Sequence, residues 1–232
     1  MKIAVMNFSG NVGKTTIAKY LLQPRLQDAR YLAVETINAD GSDGAAMKGS
    51  QYGEIIDSLR LLSGDVVIDV GASNVETFVE LMQDYMGSHE EFDYFVIPAV
   101  QAPKQQRDTI ATIDALNEIG VEPEKIRVVF NMMERGDDPA RVFSGLFDLH
   151  RRDHSFVLRP EAVVTRSEIW ARLKDAKRSL ADIAADTTDL KGALTRADDP
   201  YEKLRLSQEI SNRGLAQGVN KQLDGVFRAL FH

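Results

Sequence analysis

The chain has 232 residues, 44% of them hydrophobic and 27% charged, which suits one sizeable folded domain or two small ones and argues against disorder. A net charge of −7 does not advertise a nucleic acid partner, and the absence of cysteine excludes disulfides, thiolate metal sites and cysteine nucleophiles. No stretch approaches the ~20 apolar residues of a membrane span, and the apolar residues 3–8 are too few for a signal-peptide core, so a soluble cytoplasmic protein is expected.

The first apolar run, "KIAVMN" (2–7), leads into "FSGNVGKTT" (8–16). The pattern of a phosphate-binding loop is G-x-x-x-x-G-K-[ST], and residues 10–16 carry its second half between a buried strand and an amphipathic start at Ile17, Leu21 and Leu22. Gly10 and Gly13 permit backbone angles that aim successive N–H groups, Val12 among them, at phosphate oxygens; Asn11 tolerates a left-handed conformation. Lys14 reaches the β- and γ-phosphates, Thr15 offers a hydroxyl to Mg²⁺, and Thr16 meets the α-phosphate at the positive end of the helix it starts. Two positions depart from the pattern. Phe8 replaces the first glycine, at a strand exit where a side chain is expected to be tolerated, so phosphate binding is expected to survive. Ser9 is the second departure.

Four more apolar runs follow: "YLAVETIN" (31–38), "DVVIDV" (65–70), "DYFVIPA" (93–99) and "KIRVVFN" (125–131). They lack strict polar alternation, as strands buried on both faces of a parallel sheet do. Between them, "VETFVELMQDYMG" and "TIATIDALNEIG" place apolar residues at helical spacing. Strand alternating with helix predicts an α/β, doubly wound, mostly parallel sheet with helices on both faces, whose ligands sit beyond the carboxyl ends of the strands. The sheet region is expected to span about 1–160 of a single domain, with a helical C-terminal part over about 161–232. There Pro200 opens a long helix capped by Asp198 or Asp199, with Val219, Leu223, Val226, Phe227 and Leu230 on one stripe. That stripe packs on the domain's own sheet or serves a partner.

Further candidates carry two readings each. Asp69 ends a buried strand and either holds a metal with Thr15 or caps the next turn. Asp40 lies in "NADGSDG", a composition that by itself says turn. His150 and His154, with Asp148 and Asp153 nearby, form a metal face or a polar surface. Residues 151–180 hold eight Lys/Arg against four acids, a net +4 that leaves −11 elsewhere. Such a strip tracks DNA phosphates without reading sequence, or is a solvated helix face around Trp170 and Leu173. No helix-turn-helix or RNA-binding motif appears.

"SGNVGKTT" resembles the "KGGVGKTT" loop of the ParA/MinD superfamily, the deviant Walker-A ATPases of plasmid partition and division-site placement. "INADGSDG" (37–44) stands where that family has switch I, "VVIDVGAS" (66–73) where it has Walker B and switch II, and "VVFNMME" (128–134) where a strand ends in a base-contacting asparagine. The resemblance implies ATP with Mg²⁺, Asp40 as the water-orienting aspartate, Asp69 as the magnesium-associated carboxylate and Asn131 at the base. Gly71 either senses the γ-phosphate with its amide or serves close packing. Asn131 either reads a purine edge or bonds its own loop; Glu134 makes the segment superficially like N-K-x-D, but the lysine is missing. "MNFSGNVGKTT", "ETINADGSDG" and "LADIAADTTD" further resemble plasmid stability proteins of the StbB kind.

In the resembling family a lysine at the place of Ser9 reaches across a nucleotide-sandwiched dimer to the partner's phosphates. Serine offers one hydrogen bond and no charge, so each dimer loses two charge-assisted contacts of roughly 1.5–3 kcal/mol each. Loss of a comparable cation costs ~10³-fold or more in phosphoryl transfer. The expectation is a nucleotide switch with slow or partner-stimulated hydrolysis, acting in plasmid stability or partition and conjugative DNA transfer with a plasmid-encoded protein partner. A nucleotide-dependent homodimer is implied by the family and put in doubt by Ser9. Two alternatives stand: a P-loop kinase or ligase acting on a small molecule, and a nucleotide-binding scaffold that never hydrolyses.

Overall fold

Six parallel strands form one sheet in the order β2-β3-β1-β4-β5-β6 in a computed structural model that describes residues 1–34, 49–174 and 178–232. The strands are β1 (Lys2–Val5), β2 (Arg30–Val34), β3 (Val66–Val70), β4 (Tyr94–Ala99), β5 (Ile126–Met133) and β6 (Val163–Thr165). Between and after them lie α1 (Lys14–Thr16), α2 (Gly49–Leu61), α3 (Val75–Asp84), α4 (Pro103–Glu118), α5 (Pro139–Val142), α6 (Ser144–Asp153), α7 (Ile169–Lys174), α8 (Leu180–Ala185), α9 (Leu190–Arg196) and α10 (Pro200–Phe231).

The expected α/β class and doubly wound parallel sheet are what the structure shows. Strand residues alternate between two cores rather than between core and solvent. Ala4, Ile68, Phe95 and Val128 join one cluster with α2, α3, α4 and α6; Ile3, Val67, Val96 and Val129 join the other with the helix after the loop, α7, α8 and α10. Burial on both faces is why the runs carry no polar alternation. The sixth strand, β6, has no counterpart among the five runs read from sequence. Its three residues pair with β5 across an irregularity between Phe130 and Met133, too short a run to announce itself.

Because β1 lies between β3 and β4, the strand order reverses around it, and the crevice at that reversal opens at the carboxyl ends. The loop after β1 runs into α1, which continues π-helically over Ile17–Leu22 and ends in a 3-10 turn at Gln23–Arg25. Pro24, having no N–H, cannot donate to a carbonyl of this last turn. Arg25 closes the end of the helix: its guanidinium bonds the carbonyls of Tyr20 at 2.8 Å and Leu21 at 3.2 Å. The same guanidinium grips α10 through the carbonyl of Asn220 (2.8 Å), its Oδ1 (2.9 Å) and Asp224 (2.9 Å).

The long C-terminal helix is capped by Asp199, whose carboxylate accepts from the N–H of Glu202 at 2.8 Å, with Pro200 in the first turn. Val219, Leu223, Val226 and Leu230 are buried, and Phe227 packs at the edge of the same cluster, so this stripe faces the domain's own sheet.

Candidate nucleotide site

The loop between β1 and α1 is braced from beneath by Asn7, a fully buried residue at the strand exit. Its Oδ1 accepts from the N–H of Ser9 at 2.7 Å, while its amide donates to the carbonyl of Pro98 (3.0 Å) and the hydroxyl of Thr109 (2.8 Å). The N–H of Phe8 donates to Thr112 at 3.1 Å. Thus the loop's first residues are tied to β4 and α4. Phe8 is absent from the left-handed positions of the described backbone, and its ring packs against the first core. A glycine is not required there.

Left-handed conformation falls at Asn11 (φ 58°) and Gly13 (φ 83°), as expected, whereas Gly10 uses no such freedom. A Cβ on Gly10 would meet only Ala72, at an ordinary 3.9 Å. Gly13 is different, because an added Cβ would overlap the side-chain amide of Asn131. That amide donates to the carbonyl of Val12 at 2.8 Å, and Asn131 is 3% exposed. The structure therefore places Asn131 against the phosphate loop, with Gly13 making room for it.

Lys14 is buried and folded back onto its own loop, donating to the carbonyls of Ser9 at 2.7 Å and Asn7 at 3.0 Å. Burial pulls its pKa down to about 8, against the opposing pull of Asp69. Thr15 donates to Asp69 Oδ2 at 2.6 Å, and the hydroxyl of Tyr31 on β2 donates to the same oxygen at 2.8 Å. Val5 and Ala33 are the register partners of Asp69, which puts the carboxylate at the exits of β1 and β2. The N–H of Gly71 is held by the carbonyl of Val34 at 2.9 Å.

These groups open onto a cavity of about 980 Å³ lined by residues 10–16, Asp69, Gly71, Ala72, Asn131, Met132, 165–168, Trp170 and Ala171. The volume suits a nucleotide-sized ligand. All the loop residues expected to bind phosphate line it except Ser9. Ser9 is 2% exposed and its hydroxyl donates to Asp108 of α4, which also accepts from Lys104 at 2.7 Å. Its hydroxyl is thus turned to α4, and its carbonyl anchors Lys14. Asp40 lies outside the described residues.

A Mg²⁺ ion fits what is present. Asp69 is a buried carboxylate at 3% exposure whose hydrogen-bond donors here are the neutral hydroxyls of Thr15 and Tyr31. Mg²⁺ prefers few protein oxygens, completing its shell from phosphate and water, and Thr15 with Asp69 would be those residues. The alternative metal face is not supported: among the described residues no group of three or more His, Asp or Glu could hold a metal. His150 and His154 pack edge to face with centroids 5.6 Å apart, and burial lowers the His150 pKa.

Five of the eight cations of the basic strip are engaged within the chain. Arg151 pairs with Asp148, Arg152 with Asp153 (2.7 Å), Arg166 with Glu134 (3.0 Å), Arg172 with Glu168 (2.8 Å) and Arg178 with Asp186 (2.7 Å). No helix among the described residues is long and apolar enough to cross a membrane.

Sequence reasoning missed Asn7, Tyr31, Asp108 and the far wall of the cavity, residues 165–171. Asn7 did leave a trace, as the polar residue closing the first apolar run. Tyr31 left none, since its reach to Asp69 depends on β2 pairing with β3.

No protein-family model and no curated protein sequence matches the chain. Solved structures do match. An ATP complex of McdA from Cyanothece aligns over 98% of this chain and 95% of its own, with TM-score 0.52 and 15% identity. The ParA of pNOB8 aligns over 97% of each chain, with TM-score 0.54 and 14% identity. The MinD cell division protein of Aquifex aeolicus likewise aligns over 97% of each chain, with TM-score 0.51 and 11% identity. The fold is therefore the P-loop NTPase fold of the ParA/MinD kind.

Proposed function

We propose that this chain is a nucleoside triphosphate-binding switch of the ParA/MinD superfamily, nearest to plasmid stability proteins of the StbB kind, taking ATP with Mg²⁺ in the cytoplasm. The observation that carries the reading is one constellation: Lys14 poised inside the loop 10–16, next to Thr15 hydrogen-bonded to Asp69, at the mouth of the 980 Å³ cavity. Lys14 holds two carbonyls that offer no charge, so an entering triphosphate exchanges weak acceptors for anionic ones. Thr15 and Asp69 would hold Mg²⁺, which supplies charge neutralisation at the phosphates.

Switching follows from the ends of β2 and β3. For the Gly71 N–H to reach a γ-phosphate it must leave the carbonyl of Val34, the residue that leads directly into the segment containing Asp40. Nucleotide thereby biases both segments through one hydrogen bond. In this reading Asp40 orients the attacking water, and Asn131 stands between the loop and the base. Hydrolysis is slow unaided, because Ser9 supplies no cation and is turned to Asp108. That contact also favours the second reading, a scaffold that binds nucleotide without hydrolysing it. The likeness to pNOB8 ParA and the StbB-like segments support a role in plasmid stability or partition and in conjugative transfer, with a plasmid-encoded protein partner. Non-specific DNA contact through 151–180 would require arginines to exchange their carboxylate partners for phosphates.

Binding and turnover of ATP, GTP and CTP, with and without Mg²⁺ and duplex DNA, test the reading against Lys14→Ala. Binding should vanish in Lys14→Ala, and slow turnover should rise with DNA or with the partner. Acceptor-dependent turnover would point instead to a kinase or ligase, and binding without turnover to the scaffold. If the unaltered chain binds none of the three nucleotides, the proposal is wrong.

A further inference from the structure

A third residue bears on the metal position, on an element where no site was expected. Tyr31 sits on β2, an edge strand, opposite Val67 in the register with β3. Asp69 stands two residues further along β3, on the same face as Val67, so Tyr31 reaches it by leaning along the strand. The ring packs at the margin of the second core, and the ammonium of Lys19 lies 4.9 Å from its centroid. This packing fixes where the hydroxyl goes. It ends 2.8 Å from Asp69 Oδ2, the oxygen that Thr15 also holds at 2.6 Å.

We infer that Tyr31 is a positioning residue for the cation site: its hydroxyl, with that of Thr15, clamps one oxygen of Asp69 so that the carboxylate is presented to the metal in one orientation. The inference rests on the Mg²⁺–nucleotide reading above. A carboxylate rotates easily about its last bond, and two donors on a single oxygen remove that freedom, leaving the other oxygen's lone pairs for the metal. Hydrogen-bond partners behind metal ligands commonly set metal affinity by 10–100-fold. Tyr31 meets the metal position through Asp69.

The test is a Mg²⁺ titration of ATP binding in the full chain, comparing Tyr31→Phe with the unaltered protein. Phenylalanine keeps the ring, its core packing and the platform under Lys19, and deletes the hydroxyl. The Mg²⁺ concentration at half-effect should rise about tenfold. ATP binding in excess chelator should stay within about twofold, and thermal unfolding of the nucleotide-free protein should shift little. In an Asp69→Asn background Tyr31→Phe should add nothing further, since the carboxylate it positions is gone. A Mg²⁺ dependence unchanged in Tyr31→Phe would overturn the inference, as would an equal loss with and without Mg²⁺, which marks a packing role. Failure of the underlying reading looks different, because then the unaltered protein shows no Mg²⁺-dependent ATP binding at all.

Discussion

Replacing Gly13 by alanine adds a single methyl at a place where two independent effects meet. The backbone there has φ 83°, which an L side chain adopts at a cost of roughly 1–2 kcal/mol. The new Cβ also overlaps the amide of Asn131, forcing that side chain off the carbonyl of Val12. Stranding a buried donor costs about 1–3 kcal/mol, so the total is about 2–5 kcal/mol. For a chain of this length that corresponds to a fall in Tm of roughly 4–20 °C. Chemical and thermal unfolding of the nucleotide-free protein measures it without involving phosphate. The decisive comparison is the same change in an Asn131→Ala background, where only the backbone strain of about 1–2 kcal/mol should remain. If Gly13→Ala costs the same in both backgrounds within about 0.5 kcal/mol, the two residues are uncoupled and the packing argument fails.

Four other outcomes are expected. Lys14, with its pKa lowered to about 8, must be charged to hold a triphosphate, so ATP affinity should fall as pH rises beyond 8, with proton uptake seen by calorimetry in buffers of different ionisation enthalpy. For stability the sign is opposite: the unfolded chain binds the extra proton between pH 8 and about 10.5, so the nucleotide-free fold gains stability from Lys14 across that window, measurable as a rise in denaturation midpoint, other groups aside. Leu223→Ala, at 1% exposure on α10, should destabilise by about 2–5 kcal/mol in urea unfolding; a near-neutral result would return that stripe to an unmet partner. Arg25→Lys should behave almost like Arg25→Ala in unfolding, because one ammonium cannot span two helix-end carbonyls, Asn220 and Asp224 together.

The parts of the molecule legible in the sequence are those whose reasons are local. Val66, Val67 and Ile68 announce a strand because both faces are buried, and residues 10–16 announce a phosphate loop because the backbone turn restricts their types. Gly13 illustrates how far this goes: its left-handed φ was readable, but its second role, clearing space for a side chain 118 positions away, was not. Asp69 was readable as the end of an apolar run, whereas its clamp by Tyr31 depends on which strand became its neighbour. The same holds for the far wall of the cavity. Thr165 and Trp170 line it only because β6 extends the sheet past β5, and three residues with an irregular register carry too little pattern to be seen in advance. Ser9 shows a subtler limit. Its lack of charge was evident from its identity, but its preference for Asp108 over the cavity required knowing where α4 lies.

Pro24 and Arg25 make the helix behind the phosphate loop and the C-terminal helix a coupled pair of rods. Arg25 joins the last turn of the first rod to the second at Asn220 and Asp224, roughly two-thirds of the way along α10. From Asn220 back to Pro200 is 20 residues, about 30 Å of helix. A rotation of about 6° at the clamp would therefore carry the Pro200 end by about 3 Å, a displacement that paired spin labels on α10 and β6 would register on adding nucleotide. The Pro200 end carries Tyr201 and Leu204, 84% and 58% exposed, so a rotation passed through Arg25 would displace apolar surface there.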